Sequence, residues 1–111
     1  MNLLFICTLN QWRSPTAEHI FKKTPGISVR SAGTASNARH TVNSTDIGWA
    51  DVIFVMEKKH QAFIQEKFRE VLKNKKIVNL NIPDEYQYMD PELVEMLKTE
   101  ISSFLEKEVY T

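Results

Sequence analysis

Apolar residues gather along the chain in short continuous blocks separated by segments of helical spacing. Asn2–Cys7 (NLLFIC), Asp51–Met56 (DVIFVM) and Lys76–Leu80 (KIVNL) are such blocks. A strand with helices over both faces never meets water, so runs of this kind predict strands of a parallel sheet. After the first block, Ser14-Pro15 reads as an N-cap and first-turn pair. Ala17, Ile20 and Phe21 then share one helical face until Pro25-Gly26 stops the helix. Ile27–Ser31 is a short strand ending at Ala32-Gly33. Thr34–Thr45 has small and polar residues without a period and reads as a loop, with a turn of helix near Asp46–Ala50. Phe63, Ile64, Phe68, Val71 and Leu72 fit one long helix or two broken ones over Glu57–Lys73. Asp90-Pro91 starts a last helix with a stripe of Leu93, Leu97, Ile101, Phe104 and Leu105.

This alternation predicts an α/β fold: a single three-layer domain over residues 1–111, with a four-stranded parallel sheet flanked by helices and right-handed crossovers. The length suits one core. In open sheets of this type ligands bind off the carboxyl ends of the strands, and Cys7 stands at such an end.

Fourteen basic and fourteen acidic residues cancel. No global field then favours nucleic acid or an anionic membrane, and Lys73–Lys76 reads as a solvated helix end. Leu3–Cys7 is too short for a signal-peptide core or a membrane span, so a cytoplasmic protein is expected. One cysteine cannot form an internal disulfide or a cysteine-rich zinc site, and the three histidines lack ligand spacing with it, so no metal or other cofactor is expected.

Taken alone, a cysteine ending an apolar strand is a core residue more often than a catalyst. The residues after Cys7 reverse that reading. A strand, a tight loop and a helix start turn successive N–H groups, together with the helix dipole, toward one point. That is a cradle for an anion, and it favours the thiolate, the nucleophilic form of cysteine. Arg13 can close the loop with a planar fork that matches two oxygens of a phosphate, and Ser14 can hydrogen-bond the sulfur.

Cys7, five intervening residues and then Arg13-Ser14 resembles the signature loop of the low-molecular-weight protein tyrosine phosphatases. Asn10, "RSPTAE" (13–18), "SAGT" (31–34), "ADVIFVMEKKH" (50–60) and "IPDEY" (82–86) are similar to further segments of that family, with Thr34–Ala50 shorter than usual, as in a compact bacterial branch. The resemblance implies a phosphate-binding loop of Thr8, Leu9, Asn10, Gln11, Trp12, Arg13 and Ser14 after the first strand. It implies Cys7 as nucleophile, Arg13 as phosphate clamp and an aspartate as general acid. Asp84 follows the fourth strand, where the family carries its acid. Asp90-Pro91 has the family's Asp-Pro spelling, but helix capping already explains that pair. Asn10, Ser14 and Ser31 would hold the loop in shape, with His40 a further candidate. Trp12, Tyr86 and Tyr88 would line the substrate mouth, although plain packing explains the two tyrosines equally well. The implied substrate is a phosphorylated protein or a small phosphate ester, with phosphotyrosine or an aryl phosphate foremost. Inorganic phosphate would be product and inhibitor, and the protein a monomer.

Two positions depart from the pattern. Leu9 stands where the family has glycine and disfavours a positive φ, and Trp12 replaces the second cysteine that would trap an oxidised nucleophile. Glu85 adds negative charge near the entrance. Trp49 reads as a packing residue, and His19 and His60 as surface histidines. The alternatives are a noncatalytic phosphoanion sensor and, further off, an arsenate reductase borrowing an external thiol. A sugar-phosphotransferase carrier is a last possibility, in which Arg13 would be unexpected.

Overall fold

In the computed structural model, which describes residues 1–110, the apolar blocks become strands β1 (Asn2–Cys7), β2 (Ser28–Gly33), β3 (Val52–Val55) and β4 (Lys76–Asn79). They form one parallel sheet in the order β2-β1-β3-β4. The chain leaves β1 toward β2 on one side and returns to place β3 on the other. The carboxyl end of β1 is thus the topological switch point, where a crevice opens in sheets of this kind.

Helices α1 (Arg13–Phe21), α2 (Ser44–Trp49), α3 (Lys58–Lys67) and α4 (Pro91–Tyr110) cover the two faces. The period-two alternation of the strands sorts the core. Leu3, Phe5, Cys7, Val52 and Phe54 pack with Ala17 and Phe21 of α1 and Leu93, Leu97 and Ile101 of α4. Leu4, Ile6, Ile53 and Val55 pack with Ile47 of α2 and Ile64 of α3. Phe104 and Leu105 pack partly buried at the edge of the first cluster, so the last helix buries the stripe its spacing predicts. Trp49 packs partly buried beside the second cluster, beneath the Arg30 guanidinium at 4.3 Å.

The helix starts carry the main differences from the sequence reading. Helix α1 begins at Arg13, with Trp12 as its N-cap and no side-chain cap. Ser14 is not the cap: its hydroxyl lies in the first turn and points inward, where better partners than a helix amide await it. Helix α2 starts at Ser44, because Asn43 and Asp46 form a capping box with bonds of 2.9 and 3.2 Å. Helix α3 stops at Lys67, and 69–74 continue as turns whose Val71 and Leu72 still cover the core. Asp90 caps α4 as expected, accepting the Glu92 N–H at 2.9 Å. Among the described residues, no helix is long and apolar enough to cross a membrane.

Candidate active site

The loop after β1, Thr8 to Trp12, is shaped from behind. The carbonyls of Cys7, Thr8 and Leu9 accept the N–H groups of Thr34, Ala35 and Arg39, each at 3.0 Å. Among the described residues, the N–H groups of Thr8 to Trp12 have no protein acceptor. They adjoin the first turn of α1, whose opening N–H groups also lack intrahelical partners. Such a set of donors suits an anion.

The left-handed residue of the loop is Asn10, at φ 57°, rather than Leu9. Asparagine tolerates that region, so a leucine at the neighbouring position carries no strain there. Asn10 is fully buried, and its Nδ2 donates to Ser14 Oγ at 2.8 Å and Ser31 Oγ at 2.9 Å. Ser31 in turn donates to Glu18 Oε1 at 2.6 Å, so its lone pairs are what Asn10 meets. The amide must therefore present its nitrogen, which leaves Oδ1 buried without a partner. An unpaired buried acceptor costs about 1–3 kcal/mol. With one proton accepted from Asn10, the Ser14 hydroxyl has two acceptors for its own, Cys7 Sγ at 3.0 Å and the Ala32 carbonyl at 3.3 Å.

Arg13 is 2% exposed. Its Nη1 donates to Glu57 Oε2 at 2.6 Å and to the Ile82 carbonyl at 2.9 Å. The Nε/Nη2 edge remains, and on it Asp84 Oδ1 stands 3.7 Å from Nε. Guanidinium geometry makes that edge a two-pronged anion ligand. Burial would raise the Glu57 carboxyl, but the hydrogen bond and charge of Arg13, with Lys59 and His60, hold it below the usual carboxylate range.

His60 is 1% exposed, which overturns its reading as a surface residue. Its Nδ1 accepts the Glu57 N–H at 3.0 Å, so Nε2 carries the proton and donates to Thr8 Oγ1 at 2.8 Å. Burial first, and then the Arg13 charge, push its pKa down to about 4, so the ring is neutral near pH 7. The start of α3 thus holds both ends of the loop, Thr8 through His60 and Arg13 through Glu57.

Cys7, Thr8, Leu9, Gln11, Trp12, Arg13, Lys59 and Asp84 line one cavity of about 90 Å³. Residues 2–50 match the family model of the low molecular weight phosphotyrosine protein phosphatases. No curated protein sequence matches the chain. Among solved structures, the YwlE arginine phosphatase from Geobacillus stearothermophilus superposes with a TM-score of 0.72 at 23% identity, covering 98% of this chain and 96% of that one. The tyrosine phosphatase Wzb from Escherichia coli K30, in complex with phosphate, gives 0.77 at 23% over 96% of each. The low molecular weight protein tyrosine phosphatase SP-PTP from Streptococcus pyogenes gives 0.78 at 17%, over 96% of this chain and 91% of that one. This is the low-molecular-weight phosphatase fold.

On the phosphatase fold, the structure brings the loop residues, Arg13 and Asp84 to one cavity and joins Asn10, Ser14 and Ser31 behind it. Asp90 is spent on capping α4. His40 stands apart from the loop network, pairing with Asp46 at 2.8 Å. Arg39 takes the place beside the loop instead, its Nε donating to the Asn10 carbonyl at 3.0 Å. Of the three aromatics assigned to the mouth, Trp12 lines the cavity and is 42% exposed. Tyr86 instead packs against the core cluster under α1 and α4, because its ring finds apolar cover there. Partial burial, then the Glu92, Glu85 and Asp90 charges, push its phenol up. Tyr88 lines a neighbouring cleft and meets His19, its hydroxyl 3.0 Å from Nδ1.

Sequence reasoning missed Glu57, His60, Arg39, Glu18 and Gly33 as supports of the loop after β1. A Cβ on Gly33 would stand 2.5 Å from the Thr8 carbonyl oxygen and 2.7 Å from Ala38 Cβ. Only a glycine lets the end of β2 pass this close behind the loop. The one signal available was "SAGT" ending a strand, which marks a close approach without saying to what.

Proposed function

We propose that this protein is a metal-independent phosphatase that hydrolyses phosphate monoesters through a cysteinyl-phosphate, with phosphotyrosine or another aryl phosphate as its substrate class. The observation that carries the reading is the shared cavity. Cys7, the free edge of Arg13 and the Asp84 carboxyl face one small space ringed by unpaired amides.

In this mechanism the Cys7 thiolate attacks phosphorus in line with the leaving oxygen, forming a P–S bond as the P–O bond breaks. The Nε/Nη2 edge of Arg13 and the amides of Thr8 to Ser14 hold the equatorial oxygens as charge builds on them. Asp84, in its acid form, gives its proton to the leaving oxygen. The resulting carboxylate takes a proton from water, whose oxygen attacks phosphorus and breaks the P–S bond, releasing inorganic phosphate and the thiolate. Ser14 steadies the sulfur as it arrives and departs. Trp12 offers an exposed face to an aryl leaving group. Phosphate is both product and competitive inhibitor, and the protein acts as a cytoplasmic monomer.

The test is turnover of p-nitrophenyl phosphate in the presence of a chelator. Wild-type protein is expected to turn over, and Cys7→Ser is not. Equal rates for the two from acid to neutral pH would leave a phosphoanion sensor as the function. Asp84→Asn should slow esters with poor leaving groups far more than Asp90→Asn does, and the reverse ranking would move the acid to Asp90. A substrate panel that includes phosphotyrosyl and phosphoarginyl peptides settles the class.

A further inference from the structure

A second opening of about 440 Å³ adjoins the Cys7 cavity and shares Gln11 with it. It runs along the outer side of α1, lined by Pro15, Glu18, His19, Lys22, Arg39 and Tyr88, and no step of the proposed mechanism uses it. Its polar groups are mostly donors. The Arg39 side chain is 58% exposed, yet its guanidinium is anchored at Nε and approached more loosely at Nη2. Nε donates to the Asn10 carbonyl at 3.0 Å, Nη2 reaches Ser31 Oγ at 3.5 Å, and Glu18 Oε1 lies 4.0 Å from Nη2. A guanidinium held in place loses less freedom when it takes a ligand.

Among the described residues, the one carboxylate that lines the cleft is already answered, since Glu18 Oε1 accepts the Ser31 hydroxyl at 2.6 Å and faces Arg39. Lys22, at the end of α1, is exposed, and no acid stands within ion-pair distance of it among the described residues. The Tyr88 hydroxyl bonds His19 Nδ1. The cleft therefore has a net positive lining inside a chain of zero net charge.

We infer that this cleft is a second anion subsite, which takes a carboxylate or phosphate group while the reacting phosphate occupies the Cys7 cavity. The inference rests on the hydrolase reading above and adds the substrate's chemistry: an acidic group next to the phosphorylated residue, reaching past Gln11. The same donors would accept a free phosphate ion acting as an effector.

Two measurements separate these sources. The first compares phosphotyrosyl peptides flanked by aspartates with the same peptides flanked by alanines, on wild type and on Lys22→Glu, with p-nitrophenyl phosphate as reference. A substrate-borne group gives wild type a roughly tenfold preference in kcat/KM for the acidic peptides, carried mainly by KM. Lys22→Glu abolishes the preference and leaves p-nitrophenyl phosphate turnover within twofold. The second counts inorganic phosphate ions bound per chain by calorimetry. Two ions on wild type and one on Lys22→Glu identify a free-ion effector site. If peptide preference is absent and both proteins bind a single phosphate, the subsite does not exist. Failure of wild type to turn over p-nitrophenyl phosphate strikes the hydrolase reading instead, and the phosphate count still decides the cleft.

Discussion

Gly33 shows how much of the site depends on an atom that is missing. The carboxyl end of β2 lies close enough to the Cys7 loop that a single methyl group would overlap both Thr8 and Ala38. Gly33→Ala is expected to cost about 1–3 kcal/mol, the usual range for overpacking. The loop should also give way, so activity toward p-nitrophenyl phosphate falls more than stability does. Chemical denaturation and kcat on the same protein check both parts. Asn10 makes a related point. The sequence marked it as a loop support, but neither its left-handed backbone nor its orphaned Oδ1 was legible, and the second depends on Ser31 and Glu18, which lie 21 and 8 residues further on. The departure at Leu9 looked serious in sequence and proved mild, because the positive φ falls one residue later.

Elements were far more legible than the contacts between them. Apolar blocks found all four strands to within one or two residues at their ends, and the last helix buries the stripe its spacing required, because these signals are local. The start of α3 shows where local reading ends. Glu57 and His60 open the Glu57–Lys73 segment read as helical, with His60 taken for a surface histidine, yet they support Arg13 and Thr8 from 44 and 52 residues away. Their burial has a consequence for pH. An unfolded chain protonates His60 near 6.5, whereas the folded ring resists until about 4. Between these values the unfolded state binds more protons, so stability falls as pH drops from 6.5 to about 4, by about 3 kcal/mol at most. Below about 4 the slope from His60 ends. Glu57 acts in the same sense: its depressed carboxyl contributes fully above the ordinary carboxylate range, and the contribution is lost as pH falls through the lowered value. Urea unfolding at several pH values should show this slope in wild type and a flatter one in His60→Gln. Parallel slopes would assign the titration to another group.

At the scale of the molecule, the sheet order, on which sequence alternation is silent, places the cavity at the switch point beside β1. The loop there is the first irregular segment of the chain, yet the groups that shape it come later. Residues 33–39 back it, Glu57 and His60 brace it, and the Ile82 carbonyl fixes Arg13. An anion that binds this loop therefore binds only the assembled sheet, and its binding energy adds to the energy of folding. Inorganic phosphate at one hundred times its Kd should raise unfolding free energy by about 2.7 kcal/mol, visible as a rise in Tm that Arg13→Ala abolishes. The same long reach sets the order of events in folding. Although Cys7 leads the chain, its surroundings close last, once contacts spanning some 70 residues have formed, so the ability to bind phosphate should lag behind the appearance of secondary structure during refolding.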